Sequence, residues 1–176
     1  MKTPTDILRE EHRIILRALD TLEAAANRIA TGGSLPDGWW EQMVSWLRAF
    51  ADGNHHAKEE RALFPAMTRA GIPSGAGPVA VILGEHVEGL ALLQVMETGE
   101  AKHRAATARR YGQLLRQRIG RENELLFPLA DDVLDDQAQQ ALRREFDRVE
   151  EELAVGPFFI RAEAAIDRLA AALVAR

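Results

Sequence analysis

The chain contains no cysteine. That excludes disulfides, thiolate metal sites, zinc fingers and cysteine nucleophiles. Any metal held here must be ligated by imidazole and carboxylate, so the five His among 176 residues are the ones to follow. An uninterrupted apolar run of roughly 18 residues is also missing, which predicts no membrane span. The leading segment MKTPTDILREEH has no apolar core of the secretory kind, and cytoplasmic residence is the expectation. Positive charge is not in excess: 22 Lys plus Arg against 27 Asp plus Glu give a net charge of −5, which argues against a nucleic-acid-binding face. Strand formers are sparse beside Ala and Leu, so helix is favoured. With 47% hydrophobic and 28% charged residues, the composition is that of a globular protein large enough for one real core.

Breakers divide the chain into six helices. Thr3 is a candidate cap with Pro4 at the first helical position, and the first helix stops near Thr31-Gly32-Gly33. A second begins after Pro36 and ends near Gly71, where the Gly- and Pro-rich loop 71–78 intervenes. A third runs from about Pro78 to Met96. A fourth follows Thr98-Gly99 and ends near Pro128 or Ala130. Two more, about Asp136–Leu153 and Pro157–Ala175, are split by Gly156-Pro157. The acidic run in RVEEEL (148–153) reads as a solvated face.

Helical spacing shows what faces inward. Leu8, His12, Ile15, Leu19, Leu22, Ala26 and Ile29 form one stripe. Val44, Leu47, Ala51, His55, Glu59 and Ala62 form the second. Val79, Ile82, His86, Gly89, Leu93 and Met96 form the third, and Tyr111, Leu115, Arg118, Glu122, Leu125 and Leu129 the fourth. All four stripes carry ionisable groups, which are costly to bury without partners. A single core His is commonly a satisfied structural residue; charge on every stripe points instead to a shared site.

The sequence also repeats. REEHRIILRAL around His12 resembles LGEHVEGLALL around His86, and HHAKEERALFPAM (55–67) resembles RIGRENELLFPLA (118–130). The second alignment pairs Glu59 with Glu122 and His55 with Arg118. Each half is a helical hairpin, and two hairpins build an all-α, antiparallel up-and-down four-helix bundle over 1–134. The remaining two helices, 135–176, are a C-terminal extension that covers the bundle or forms a homodimer seam through Phe146, Val149, Leu153, Phe158, Phe159, Ile166, Leu169 and Leu173. Pro65 and Pro128 stand six residues after the paired Glu, where proline should kink or end the helix.

His55 and Glu59, four apart, point to one side of the helix. Such ligands suit iron, manganese or zinc, and carboxylates bridge two ions. His56 lies about 100° around the helix from His55, and on spacing alone ligation and packing are equally open to it. Glu11, Glu85 and Glu60 read as exposed, with support of the imidazoles as the other reading for the first two. Tyr111 reads as core, Trp39, Trp40 and Trp46 as a cap on one end of the bundle, and His103 as a surface residue.

These motifs resemble the hemerythrin-like, HHE cation-binding family over about 3–134. The resemblance implies a bundle enclosing a non-haem di-iron centre with five His and two bridging carboxylates, binding or sensing oxygen, nitric oxide, peroxide or iron. His12, His55, His56 and His86 match family His ligands, and Glu59 and Glu122 the bridging carboxylates. The fifth His position is Arg118, which has no lone pair to give a metal.

A unit charge about 4 Å from another interacts by about 4 kcal/mol at an effective dielectric near 20, roughly double against a divalent ion. Binding of a structural divalent ion is on the order of 10–16 kcal/mol, so a lost ligand plus this repulsion is large enough to remove one site. Three outcomes follow: a mononuclear centre near His12, His55 and the Glu pair; an altered di-iron centre with an open position; or a metal-free bundle in which Arg118 forks onto Glu59 and Glu122 and which serves as a protein-interaction module. Arg118 is also long enough to swing its head into solvent. Binding or sensing of a small diatomic or oxidant is expected over turnover, with weak oxidase or peroxidase-type activity left open. A ferritin-like site, a zincin, a phosphate loop and a Ser–His hydrolase each lack their motif.

Overall fold

The computed structural model describes residues 2–152 and 158–174 and contains no strand among them. α1 spans Pro4–Ala30. A second rod starts as α2, Trp39–Trp46, passes through π-helical stretches Leu47–His56 and Glu59–Leu63, and ends as α3, Phe64–Arg69. α4 is Gly77–Thr98. A third long rod joins α5, Ala101–Arg121, through the π-helical stretch Glu122–Leu126 to α6, Phe127–Val133. α7 is Asp136–Glu152 and α8 is Phe158–Val174. The molecule is an all-helical bundle in which α5 packs along both α1 and α4. The break expected at Gly156-Pro157 and the role expected of Leu153 lie outside the described residues, as do the side chains of Phe158 and Phe159.

The start of α1 follows its sequence. Thr3 Oγ1 accepts from the Asp6 N–H and Asp6 returns the bond to the Thr3 N–H, with Pro4 opening the helix. At the far end, Gly32 takes φ +82°, the left-handed conformation that glycine adopts without steric cost.

The two prolines do not end their helices. Pro65 and Pro128 sit one residue inside α3 and α6, and each is preceded by a widened turn. The Phe64 N–H reaches back five residues to the Glu59 carbonyl, and the Phe127 N–H to the Glu122 carbonyl. A π turn carries one residue more than an α turn, so the interruption is absorbed and the rod runs on to Val133, beyond the expected stop near Pro128 or Ala130. That extra residue also shifts the inward face. Leu125, expected in the stripe, is 63% exposed, and Leu129 is only partly buried. Leu126, Phe127 and Ala130 take the core instead.

In the second rod Leu47, Ala51, His55 and Glu59 are spaced by four three times in succession. At 3.6 residues per turn each such step overshoots by about 40°, so the seam would drift around the rod. The π-helical stretches take up that drift, and all four residues stay buried.

Two apolar layers result. One gathers Ile15, Leu19, Phe50, Leu93 and Leu115 with Ala162, Ile166 and Leu169 of α8. The other gathers Leu8, Leu63, Phe64, Ile82, Leu126 and Phe127 with Leu142 and Phe146 of α7. His12, His55, His86 and Glu122 fall between them along the chain and are buried. The tryptophans do more than cap one end. Trp39 and Trp46 donate their indole N–H groups to the carbonyls of Leu169 and Ala162 on α8, and Trp40 donates to that of Met96. Their α8 bonds tie the last helix to the second rod.

α4 departs from the simple amphipathic pattern. It has an 18-residue window of mean hydropathy 1.5, long and apolar enough to cross a membrane by length and composition, although Glu85, His86 and Glu88 interrupt it. It buries His86 and packs along α5, while Val81, Val87, Leu90 and Val95 remain exposed.

Candidate metal centre

Four imidazoles converge between the two apolar layers, each held by an oxygen on its outer nitrogen. His12 Nδ1 donates to Asn123 Oδ1 at 2.9 Å, and His55 Nδ1 to Glu11 Oε2 at 2.8 Å. His86 Nδ1 donates to Glu60 Oε1 at 2.6 Å, and His56 Nδ1 faces Asp52 Oδ1 at 3.4 Å. An acceptor on Nδ1 fixes the proton there and leaves the Nε2 lone pair free.

All four Nε2 atoms are turned inward. His12 Nε2 lies 2.9 Å from His55 Nε2 and 3.0 Å from Glu122 Oε2. His55 Nε2 is 3.7 Å from Glu59 Oε1, and His86 Nε2 is 3.2 Å from Glu59 Oε2. Two imidazole lone pairs at such a separation repel unless a proton or a cation lies between them. Donor atoms therefore form two sets that share Glu59: His12, His55, Glu59 and Glu122 in one, and His56, Glu59 and His86 in the other, with the atoms of each set within 4.8 Å of one another.

The residues fit a cation. Both oxygens of Glu59 and both of Glu122 are buried without a hydrogen-bond partner, and so is His86 Nε2 despite its nearness to Glu59. Buried polar atoms left unpaired are rare and call for a missing partner; four carboxylate oxygens facing inward imidazoles call for a positive one. Burial alone would raise the Glu122 carboxyl. His12, whose Nε2 lies 3.0 Å away, and the positive charge of Arg118 more than offset it and bring the pKa down to about 2. Burial would lower His86, but the carboxylates of Glu59 and Glu60 beside it lift it to about 9. The buried carboxylates thus favour positive charge beside them.

Arg118 occupies the second set and does not reach solvent: it is 2% exposed. Its Nη2 donates to His56 Nε2, and its Nε lies 3.4 Å from Glu122 Oε1. It does not fork onto Glu59 and Glu122, because Nε and Nη1 both lack hydrogen-bond partners. Burial, then the Arg118 charge, holds the His56 pKa well below its ordinary value, so His56 stays neutral and accepts a hydrogen bond from the guanidinium.

Of the acidic residues expected to face solvent, Glu11 does not, while Glu60 and Glu150 do so in part. Glu11 is buried and also accepts from Asn54 and from Lys58. Burial works against its ionisation, yet the bond from His55 and the charge of Lys58 hold its pKa at about 2. Glu60 is half-exposed but bonds His86. Glu150, within the acidic run of α7, ion-pairs with the fully buried Lys58. Tyr111 is core, as expected, and His103 is on the surface.

The repeat explains much of this. The Phe64 ring stacks on His86 at 6.0 Å and Phe127 on His12 at 5.3 Å, so each Leu-Phe-Pro of one half braces the His of the other. Glu60 and Asn123 are aligned positions, and each holds the other half's imidazole. Glu11–Lys58 and Glu85–Arg121 are aligned ion pairs. The halves differ where His55 is matched by Arg118.

No curated protein and no solved structure matches this chain. The family model for the hemerythrin HHE cation-binding domain does match, over residues 3–130, a span that contains every side chain of the inward cluster. The chain belongs to the hemerythrin HHE cation-binding domain family.

Proposed function

We propose that the protein binds one iron ion through His12, His55, Glu59 and Glu122, within an antiparallel up-and-down four-helix bundle, and uses it to bind or sense a small diatomic molecule or oxidant such as oxygen, nitric oxide or peroxide. The observation that carries this reading is the set of inward Nε2 atoms, each with its Nδ1 facing an oxygen, opposite four orphaned carboxylate oxygens. Manganese and zinc suit the same ligands. Bound there, iron would supply an electrophilic, redox-active position for a small ligand. The chain's own contribution is to orient the imidazoles, exclude water with the layers of Leu8, Phe127 and Ile15, and hold a fixed positive charge beside the site.

Arg118 sets the number of ions at one. Its guanidinium lies where the second set would take a cation, and it already occupies the His56 lone pair. A second ion would lose a ligand and face a unit positive charge in a dry interior, where such repulsion costs several kcal/mol. His56 and His86 are then supports around a tethered cation rather than ligands.

The contact between Arg118 and Glu122 favours a second reading, a metal-free bundle that acts as an interaction module. Metal analysis of protein purified after iron-supplemented expression separates the two. About one iron per chain supports the cation site, and none supports the metal-free bundle.

A further inference from the structure

The match to the family ends at residue 130, yet α7 reaches the cluster. Lys58, between the ligand pair His55 and Glu59, has no solvent exposure. Its Nζ donates to Glu11 and to Glu150 of α7, and lies 5.8 Å from the ring centre of Phe146, also of α7. Glu11 in turn accepts from His55 Nδ1. An unbroken chain of charged and hydrogen-bonded groups therefore runs from the half-exposed Glu150 to the imidazole whose Nε2 faces the candidate site. The aligned pair in the other half, Glu85 and Arg121, has no α7 partner and is more exposed. Among the described residues, the half that carries His55 is the one sealed in this way.

We propose that Glu150 is a positioning residue for the cation site, acting through Lys58 and Glu11 on His55. A buried lysine between two carboxylates is held in place by both. With Glu150 gone, Lys58 Nζ loses one of its two anchors, and the Glu11 oxygen opposite the one at His55 Nδ1 is left to Asn54 and a less firmly held Lys58. The groups that fix a ligand's orientation and tautomer typically govern metal affinity by 10–100-fold. Because coupling is reciprocal, a bound cation should also hold α7 in its seat.

This rests on the cation-binding reading, and the test separates the two. Glu150→Gln keeps the size and removes the charge. Glu151→Gln removes the same charge from an exposed neighbour on α7. Affinity for Fe(II) is measured by competition with a chelator, and the His55 tautomer of metal-free protein by long-range nitrogen–proton correlation at fixed pH. The expected result is about tenfold weaker binding in Glu150→Gln, with a mixed His55 tautomer, and neither change in Glu151→Gln. Equal affinity and tautomer in Glu150→Gln and wild type would overturn the proposal, and so would equal weakening in both variants. If the wild-type chain takes up no metal, the cation reading fails, and the tautomer comparison alone decides whether Glu150 positions His55.

Discussion

A neutral imidazole gives a metal one lone pair, and its second nitrogen decides which one. Asn123 makes that choice for His12. Asn123→Ala should therefore weaken metal binding by roughly 10–100-fold, measured by chelator competition; unchanged affinity would mean the acceptor is incidental. Arg118→His restores a lone pair at the second set and removes its fixed charge, and should raise the iron content from one toward two per chain. The inward residues were legible because ionisable groups stood on every apolar stripe and the repeat aligned Glu59 with Glu122. Their outer acceptors were less legible: support of an imidazole was only the second reading for Glu11, and Asn123 and Glu60 each lie on a different helix from the imidazole they hold. One signal was present: the repeat places Glu60 and Asn123, both oxygen-bearing, immediately after the paired carboxylates.

At the scale of the element, the π turns decide which side chains reach the core. An uninterrupted α-helix would bury Leu125 and Leu129, whereas the turn after Glu122 turns Leu125 out and buries Leu126. Leu126→Ala should cost about 2–5 kcal/mol, and Leu125→Ala less than about 0.5 kcal/mol, both measured by chemical denaturation. The reverse order would show that the turn is α-helical. The sequence pattern predicts a kink or a helix end at Pro65 and Pro128 because proline removes a donor and crowds the preceding turn. It did not anticipate that a widened turn placed just before the proline lets the rod continue. The succession of four-residue steps from Leu47 to Glu59 was the trace of the other widened stretch, Leu47–His56.

For the whole molecule, the last two helices are part of the packed unit. Ala162, Ile166 and Leu169 of α8 pack in the chain's own core, and Trp46 bonds the Ala162 carbonyl. Trp46→Phe should cost about 1 kcal/mol for the lost hydrogen bond and reduce amide protection in α8 before it affects α1, as read by hydrogen exchange. Helix number and the bundle class followed from breakers and stripes; the seating of α7 and α8 did not, because an apolar stripe does not say which surface it meets. Metal content links all three scales. Free metal at about 100 times its Kd should stabilise the folded chain by about 2.7 kcal/mol, a rise in Tm of about 5–10 °C for a protein of this size, and chelation should abolish it. The central claim is tested most directly by iron stoichiometry, measured by elemental analysis of protein purified after iron-supplemented expression. One iron per chain is the predicted result, and either none or two would contradict it.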